Sequence, residues 1–225
     1  MYKKGKENDV WMKRLLSDNE IDIEIVEEFI GRLNNDEQLE KLLQLINSQN
    51  RDVKLYAYEE LIRFSDEKVL KAARKGLQED DELVRIAAVE IIQEKKDFKQ
   101  LEELMKLLKS DDDELVRCFS GEAIGFLSEQ LIRFLEERVS LEEGNVAIVG
   151  IYNALYRLGK KEYLKSLLLL LEDDYHIIVI RTIITLKSIL NPENQNLILN
   201  KIVEMKGINL PISIQEALEH YFPES

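Results

Sequence analysis

The sequence predicts an all-α fold, an α-solenoid of about seven helix pairs. The first observation is a repeated segment: Asp81-Glu82-Leu83-Val84-Arg85 recurs letter for letter at residues 113–117. The second is a constant period, since a series of anchor positions recurs every 31 or 32 residues. The anchors are Ile21, Val53, Val84, Val116, Ala147, Ile178 and Leu210. A period of this length is typical of stacked helical repeats.

Each anchor begins a helix that we call helix B. The residue four positions after each anchor, from Ile25 in the first repeat to Ile214 in the last, is mostly small or β-branched. The residue eight positions after each anchor, from Phe29 to Leu218, is large and apolar. These offsets share one face of an α-helix. An apolar run upstream of each anchor, such as 39–46, predicts a helix A. We therefore predict a single repeat domain over 1–225, with repeats at 9–34, 36–65, 66–96, 97–127, 128–159, 160–191 and 192–223.

The turns between helices A and B are rich in Asp and Asn, which cap helix N-termini and favour the positive end of the helix dipole. They are Asn50-Arg51-Asp52, Asp80-Asp81, Asp111-Asp112-Asp113 and Asp173-Asp174. We expect Arg85, Arg117 and, more weakly, Lys54 to form an ion-pair ladder with acidic neighbours. Gly121 and Gly125 lie four apart in a helix B, which predicts close helix packing.

Segments Asp81–Ile92 and Asp113–Gly125 resemble HEAT repeats, with an Asp-x-x-Val-Arg opening and small residues near the helix centre. The variety they are most similar to is the bacterial type named after phycobilisome lyases. The resemblance implies a right-handed superhelix that acts as a scaffold or adaptor, binding a protein on its concave helix-B side. The later anchor pairs, Ala147-Ile148, Ile178-Val179 and Leu210-Pro211, depart from the Val-Arg pattern.

The charge balance limits the class of partner. The chain has 44 acidic against 31 basic residues, a net charge of -13. Nucleic-acid binders need a basic surface, so we expect no nucleic-acid partner but a basic protein.

A single cysteine, Cys118, suits a reducing compartment and is expected to pack as a small hydrophobe. No apolar run reaches the ~20 residues of a membrane span, and no secretory signal is seen, so we predict a cytoplasmic location.

No catalytic or metal-binding constellation stands out in the sequence. The two histidines, His176 and His220, fall in different repeats, and no CxxC or HExxH spacing occurs. The acidic runs 79–82 and 111–114 are better explained as helix caps than as calcium ligands. We therefore predict no enzyme, no metal site, no cofactor and no catalytic residue.

Positions six and ten after the anchors should point away from the buried stripe. At position six, Glu27, Glu59, Glu90 and Glu122 would align as an acidic ladder across neighbouring repeats. Such glutamates also commonly pair with nearby Lys or Arg. Later repeats carry aromatic and arginine side chains, the types enriched at binding hot spots. The predicted partner contacts are Glu59, Arg63, Glu90, Glu94, Glu122, Phe126, Asn153, Tyr156 and Arg157.

Three alternatives remain open at the level of sequence. A small acidic protein could be a bacterial immunity or antitoxin-like inhibitor of a basic toxin. The resemblance also allows a lyase- or assembly-factor-like role similar to the phycobilin lyases. Finally, the segment Ile177–Ile184 is apolar almost all round, so its helix is either central or covered, for example by a homodimer contact.

Overall fold

The structure is a computed structural model that describes residues 12, 13, 15, 16 and 21–223. Its regular secondary structure is helical, and no β-strand occurs in that part of the chain. The predicted all-α fold is therefore confirmed. Most of residues 9–20, which begin the first predicted repeat, and the N-terminal stretch considered for a secretory signal lie outside the described residues.

Helices of types A and B alternate from residue 21 to residue 223. The B helices are α1 (Ile23–Gly31), α3 (Arg51–Leu61), α5 (Glu82–Glu94), α7 (Glu114–Leu127), α9 (Asn145–Arg157), α11 (His176–Ser188) and α13 (Ile212–Tyr221). The A helices are α2 (Asn35–Leu45), α4 (Glu67–Gly76), α6 (Leu101–Ser110), α8 (Ile132–Leu141), α10 (Tyr163–Leu169) and α12 (Gln195–Lys206). Short 3-10 turns occupy Phe98–Gln100, Glu129–Leu131 and Leu170–Glu172.

The anchors from Val53 to Ile178 are each the third residue of a B helix. At the two ends of the series the helix begins later than predicted, because Ile21 and Leu210 precede α1 and α13 by two residues. Asp22 occupies the N-cap of α1, where its carboxylate accepts the Glu24 N–H at 3.0 Å. Pro211 occupies the corresponding position before α13.

The chain divides into two compact units, Met1–Gln100 and Leu101–Ser225. Helices α1–α5 belong to unit 1 and α6–α13 to unit 2. Within each unit, helices that follow one another in the chain pack together, and successive B helices lie side by side. This is the packing of a HEAT-like α-solenoid. A single domain over 1–225 and its repeat boundaries stay predictions.

The predicted stripe forms the core of the central repeats. From Val53 to Leu186, every anchor and every residue four or eight positions after it is buried. Ile25 is 39% exposed, and Leu210 is half-buried. Both belong to terminal members of the series, where the described residues supply a neighbouring helix B on one side only.

The predicted caps form before three B helices. Side-chain oxygens of Asn50, Asp81 and Asp113 accept the N–H groups of the anchors three residues ahead, at 3.0–3.2 Å. Asp173 departs from the pattern, because its carboxylate accepts the N–H of Tyr175, which precedes α11. Side-chain capping of this kind typically contributes about 1 kcal/mol per helix.

The arginine after the anchor contacts the turn before its own helix, and Arg117 also pairs with Glu142 of the next repeat at 2.9 Å, as the predicted ladder requires. Arg85 donates from Nη1 to the carbonyls of Glu79 and Asp80, at 3.0 and 2.8 Å. Arg117 does the same to Asp111 and Asp112, at 2.8 and 3.3 Å. Each arginine thus satisfies two backbone carbonyls of the connection between helix A and helix B. The Asp-x-x-Val-Arg letters therefore encode the turn between helices A and B.

Two basic residues of α3 also form ion pairs with the following repeat in unit 1. Arg51 pairs with Asp81 and, at 3.0 Å, with Glu82. Lys54 pairs with Glu79 at 2.8 Å, as the predicted ladder requires.

The apolar helix α11 packs against both α9 and α13 inside unit 2. Ile178, Val179 and Ile183 are buried, and Ile177 is 43% exposed. Helices of the same unit therefore cover most of its apolar surface.

Candidate protein-binding surface

We call the residues three, six and ten positions after each anchor the helix-B face. In unit 1 it contains the predicted contacts Glu59 on α3, Arg63 in the turn just after α3, and Glu90 and Glu94 on α5, and all four side chains are exposed. On α1, Glu24 occupies position three and Glu27 position six of this face, and both are exposed. Since α1, α3 and α5 pack side by side, these glutamates lie on one surface. We call Glu24, Glu27, Glu59, Glu90 and Glu94 the acidic face.

One basic side chain of the helix-B face lies beside these glutamates, and its charge is already paired. Arg63 lies 2.8 Å from a carboxylate oxygen of Glu60 and donates to the amide oxygen of Gln38 at 2.9 Å. Its charge is therefore directed toward Glu60 rather than Glu59. This surface of unit 1 keeps an excess of negative charge.

Burial and nearby carboxylates raise the pKa values of two groups at this surface. Partial burial, and then the charge of Glu60, raise the pKa of Glu59 above its ordinary value. Burial raises the pKa of the neighbouring Tyr56 to about 12, and Glu60 and Glu27 act in the same direction against the opposing effect of Arg63. Nearby like charges disfavour the ionised form of each group. A cation bound here would relieve that repulsion.

Glu122 of α7, predicted as the fourth carboxylate of the ladder, has a different environment in unit 2. Its carboxylate lies 2.6 Å from the guanidinium of Arg181, and the two side chains are only 15% and 12% exposed. It also accepts a hydrogen bond from the amide of Asn153 at 3.0 Å. Glu122 is thus neutralised within the protein, as the alternative interpretation of these glutamates expects.

Arg181 can reach Glu122 because helices α7 and α9 approach each other very closely. A Cβ atom placed on Gly150 would lie 2.1 Å from the carbonyl oxygen of Cys118, and one on Gly125 would lie 2.4 Å from Ala154. The guanidinium of Arg181 comes from α11 and lies 4.1 Å from the ring centroid of Phe119. Gly125 therefore permits close packing, as predicted, and so does Gly150, which the sequence analysis did not single out.

A chain of polar contacts continues from Glu122 to the exposed surface. Arg157 donates from Nε to the Asn153 oxygen at 3.0 Å and from Nη2 to Ser188, at 3.0 Å to the hydroxyl and 3.1 Å to the carbonyl. Asn153 is buried, whereas Arg157 is exposed. The network of Arg181, Glu122, Asn153, Arg157 and Ser188 joins α7, α9 and α11.

The remaining predicted contacts of unit 2 separate into two groups. Phe126 is 47% exposed and lies on the same helix as Glu122. Tyr156 is 4% exposed, and its hydroxyl accepts a hydrogen bond from the amide of Asn194 at 2.9 Å. Tyr156 is therefore a packing residue. Sequence reasoning missed Arg181, although a lone basic residue inside an apolar run was the signal for it.

The described residues hold no group of three or more His, Cys, Asp and Glu side chains that could bind a metal ion. Cys118 is fully buried, and burial raises the pKa of its thiol to about 12. The prediction that it packs as a hydrophobe is confirmed. None of the described helices is both long enough and apolar enough to cross a membrane.

Comparison with known proteins identifies the repeat type over part of the chain. Residues 39–125 match the family of HEAT repeats. This segment contains both copies of the Asp-x-x-Val-Arg sequence and helices α3 to α6 in full. A crystal structure of an engineered protein from the Northeast Structural Genomics Consortium is 17% identical, with a TM-score of 0.37. That alignment covers 85% of this chain and 98% of the other. No curated protein matches the chain.

Proposed function

We propose that this protein is a non-catalytic HEAT-type scaffold or adaptor that binds a basic segment of another protein through the acidic face of unit 1. The observation that carries the proposal is the row of exposed glutamates on three neighbouring B helices, with its one arginine already paired. We also propose that its repeats are of the phycobilisome-lyase variety, because of the sequence of Asp81–Ile92 and of the similar segment Asp113–Gly125. We place the interaction in the cytoplasm.

The energetics favour a partner with several adjacent cations. A single exposed ion pair contributes only roughly 0–1 kcal/mol, so one lysine would bind weakly. Several pairs formed together add up, and each also relieves repulsion between neighbouring glutamates. Long-range attraction would raise the association rate and fall steeply with ionic strength. Salt dependence is therefore the expected signature of this interface.

Phe126 and Arg157 are proposed as additional contacts in unit 2. Aromatic and arginine side chains are the types that most often dominate binding energy. The network through Asn153 holds Arg157 in a fixed orientation, which lowers the entropy that binding must remove.

The test compares two triple variants of equal net charge. The face variant is E59Q/E90Q/E94Q, and the control is E40Q/E67Q/E102Q, whose glutamates are exposed on A helices. A fluorescein-labelled oligolysine peptide is titrated by anisotropy at low and high NaCl. The same proteins are then used as baits in a pull-down from host lysate.

We expect the face variant to bind oligolysine about tenfold more weakly than the control, with the difference disappearing at high salt. In the pull-down, a basic protein should be retained by the wild type and the control but lost from the face variant. Equal weakening in both variants would show that only total charge matters and would refute the acidic face.

A further inference from the structure

A cavity of about 570 Å³ lies in unit 2 between the start of α11, the end of α12 and the start of α13. Its floor is apolar and consists of the side chains of Leu171, Val179, Met205 and Ile214, all of them buried. Ligand pockets in proteins typically measure about 300–1,000 Å³ and have such apolar linings. None of the sequence-predicted contacts lies in this cavity.

The cavity exists because the last helix pair departs from the repeat. Helix α13 begins two residues after the anchor position Leu210, and residues 207–211 form an open connection after α12. Leu210 is therefore only half-buried at the cavity wall, where the earlier anchors are fully buried. Ile208, in the same connection, lines the mouth and is 61% exposed. Apolar surface is thus available both inside the cavity and at its mouth.

The rim of the cavity is acidic. It includes Glu172, Asp173, Asp174 and Glu204, while Lys201 supplies one ammonium group. Lys201 lies 2.5 Å from Glu172 and 3.8 Å from Glu204. The side chains of Glu172 and Glu204 remain 61% and 71% exposed. Four carboxylates against one ammonium leave the mouth negative, so the rim complements a cation.

We propose that this cavity binds a large apolar side chain of a partner protein, from a segment in which a lysine or arginine lies next to that side chain. The apolar group enters between Val179, Met205 and Ile214, and the cation remains at the rim near Asp174 and Glu204. Apolar burial supplies the affinity, and the rim charges select against acidic segments. The site lies in unit 2 and does not depend on the acidic face of unit 1.

The probe is a labelled peptide of alternating leucine and lysine, and the control peptide carries glutamate in place of lysine. Binding is followed by the methyl resonance of Met205 in protein with labelled methionine methyls, because that group lies in the cavity. This local readout separates the cavity from peptide bound elsewhere on an acidic protein. Thermal melting establishes that each variant is folded.

Two pairs of variants test the charge and the apolar contribution separately. D174K/E204K reverses the rim, and E129K/E143K makes the same change in net charge at exposed positions of unit 2 outside the cavity. I208N removes apolar surface at the mouth of the cavity. Its control is L169N, which removes an apolar side chain that is 67% exposed and lies outside the cavity.

We expect the leucine–lysine peptide, but not the leucine–glutamate peptide, to shift the Met205 methyl resonance. D174K/E204K and I208N should each weaken this binding by about tenfold, while E129K/E143K and L169N change it less than about twofold. E59Q/E90Q/E94Q should leave it unchanged, which separates this proposal from the acidic face.

Three results would overturn the proposal. The first is a Met205 resonance that does not respond to the leucine–lysine peptide. The second is equal weakening in the rim variant and its charge control. The third is a Met205 shift that depends on protein concentration alone, since that would assign the cavity to a second copy of the chain.

Discussion

Gly150 of α9 lies against the backbone of Cys118 in α7, so close that a Cβ atom would stand 2.1 Å from the Cys118 carbonyl oxygen. The obstacle is backbone rather than a flexible side chain, so the substitution G150A must push the two helices apart. Overpacking of this kind typically costs 1–3 kcal/mol, and we expect a loss of about 3 kcal/mol in the free energy of unfolding. Urea denaturation measures it.

A matched control for G150A is G31A at the end of α1. No atom lies within 4 Å of a Cβ placed there, so alanine should stabilise the helix by about 0.5 kcal/mol. Equal stability of G150A and wild-type protein would contradict the packing of α7 on α9.

The ion pair between Arg181 and Glu122 should be costly to break on one side. R181M leaves a carboxylate that is 15% exposed without its charge partner, and we expect a loss of about 3 kcal/mol. The double variant R181M/E122Q should recover most of that loss, because it removes the unpaired charge. The exposed pair of Arg32 and Glu28 is the control, and R32M should change stability by less than about 0.5 kcal/mol. Additive single effects in the double-mutant cycle would contradict this prediction.

Glu142 should make the stability of the protein depend on pH. Burial acts to raise the pKa of its carboxyl, but hydrogen bonds from Arg117, the Gly144 N–H and Arg138, together with the charge of Arg117, hold that pKa below its ordinary 4.5. A lowered pKa in the folded state stabilises the protein above pH 4.5, and this contribution is lost as pH falls through the folded value.

The variant E142Q isolates that contribution. Near pH 7 it should be less stable than the wild type by about 2 kcal/mol, because it loses charged hydrogen bonds at 2.9–3.2 Å. The difference should stay constant down to about pH 5 and shrink at lower pH. A difference that is the same at pH 7 and pH 3 would rule out the carboxylate as its source.

The thiol of Cys118 should be inert in the folded protein. It is fully buried, and burial raises its pKa to about 12, so the reactive thiolate is both scarce and inaccessible. We expect Ellman's reagent to label the native protein at least about 10³-fold more slowly than the urea-unfolded chain. Rapid stoichiometric labelling of the native protein would show that α7 and α9 separate readily.

Features that depend on one or two turns of chain were predictable from the sequence. Asp81 and Asp113 cap B helices because capping involves only neighbouring residues. The buried stripe of the central repeats follows from helical periodicity alone. The starts of α1 and α13 are local features too, because Asp22 and Pro211 occupy their N-cap positions.

The parts that the sequence did not predict depend on distances between helices. Glu122 was predicted to lie in an acidic ladder, but its partner Arg181 is 59 residues away, and the contact depends on how closely α7, α9 and α11 pack. Tyr156 was assigned to the surface, yet Asn194, 38 residues later, holds its hydroxyl in the interior. Periodicity says which face a residue occupies, but not which neighbour covers it.

The bond from Arg181 to Glu122 also bears on how the chain unfolds. In repeat proteins each unit usually touches only its nearest neighbours, so terminal repeats fray independently. Here the ion pair joins α7 to α11, although α9 lies between them in the order of B helices. Helix α11 therefore cannot detach without exposing a buried ion pair. The three helices should therefore open as one cooperative block, with a shared free energy of opening in native-state hydrogen exchange.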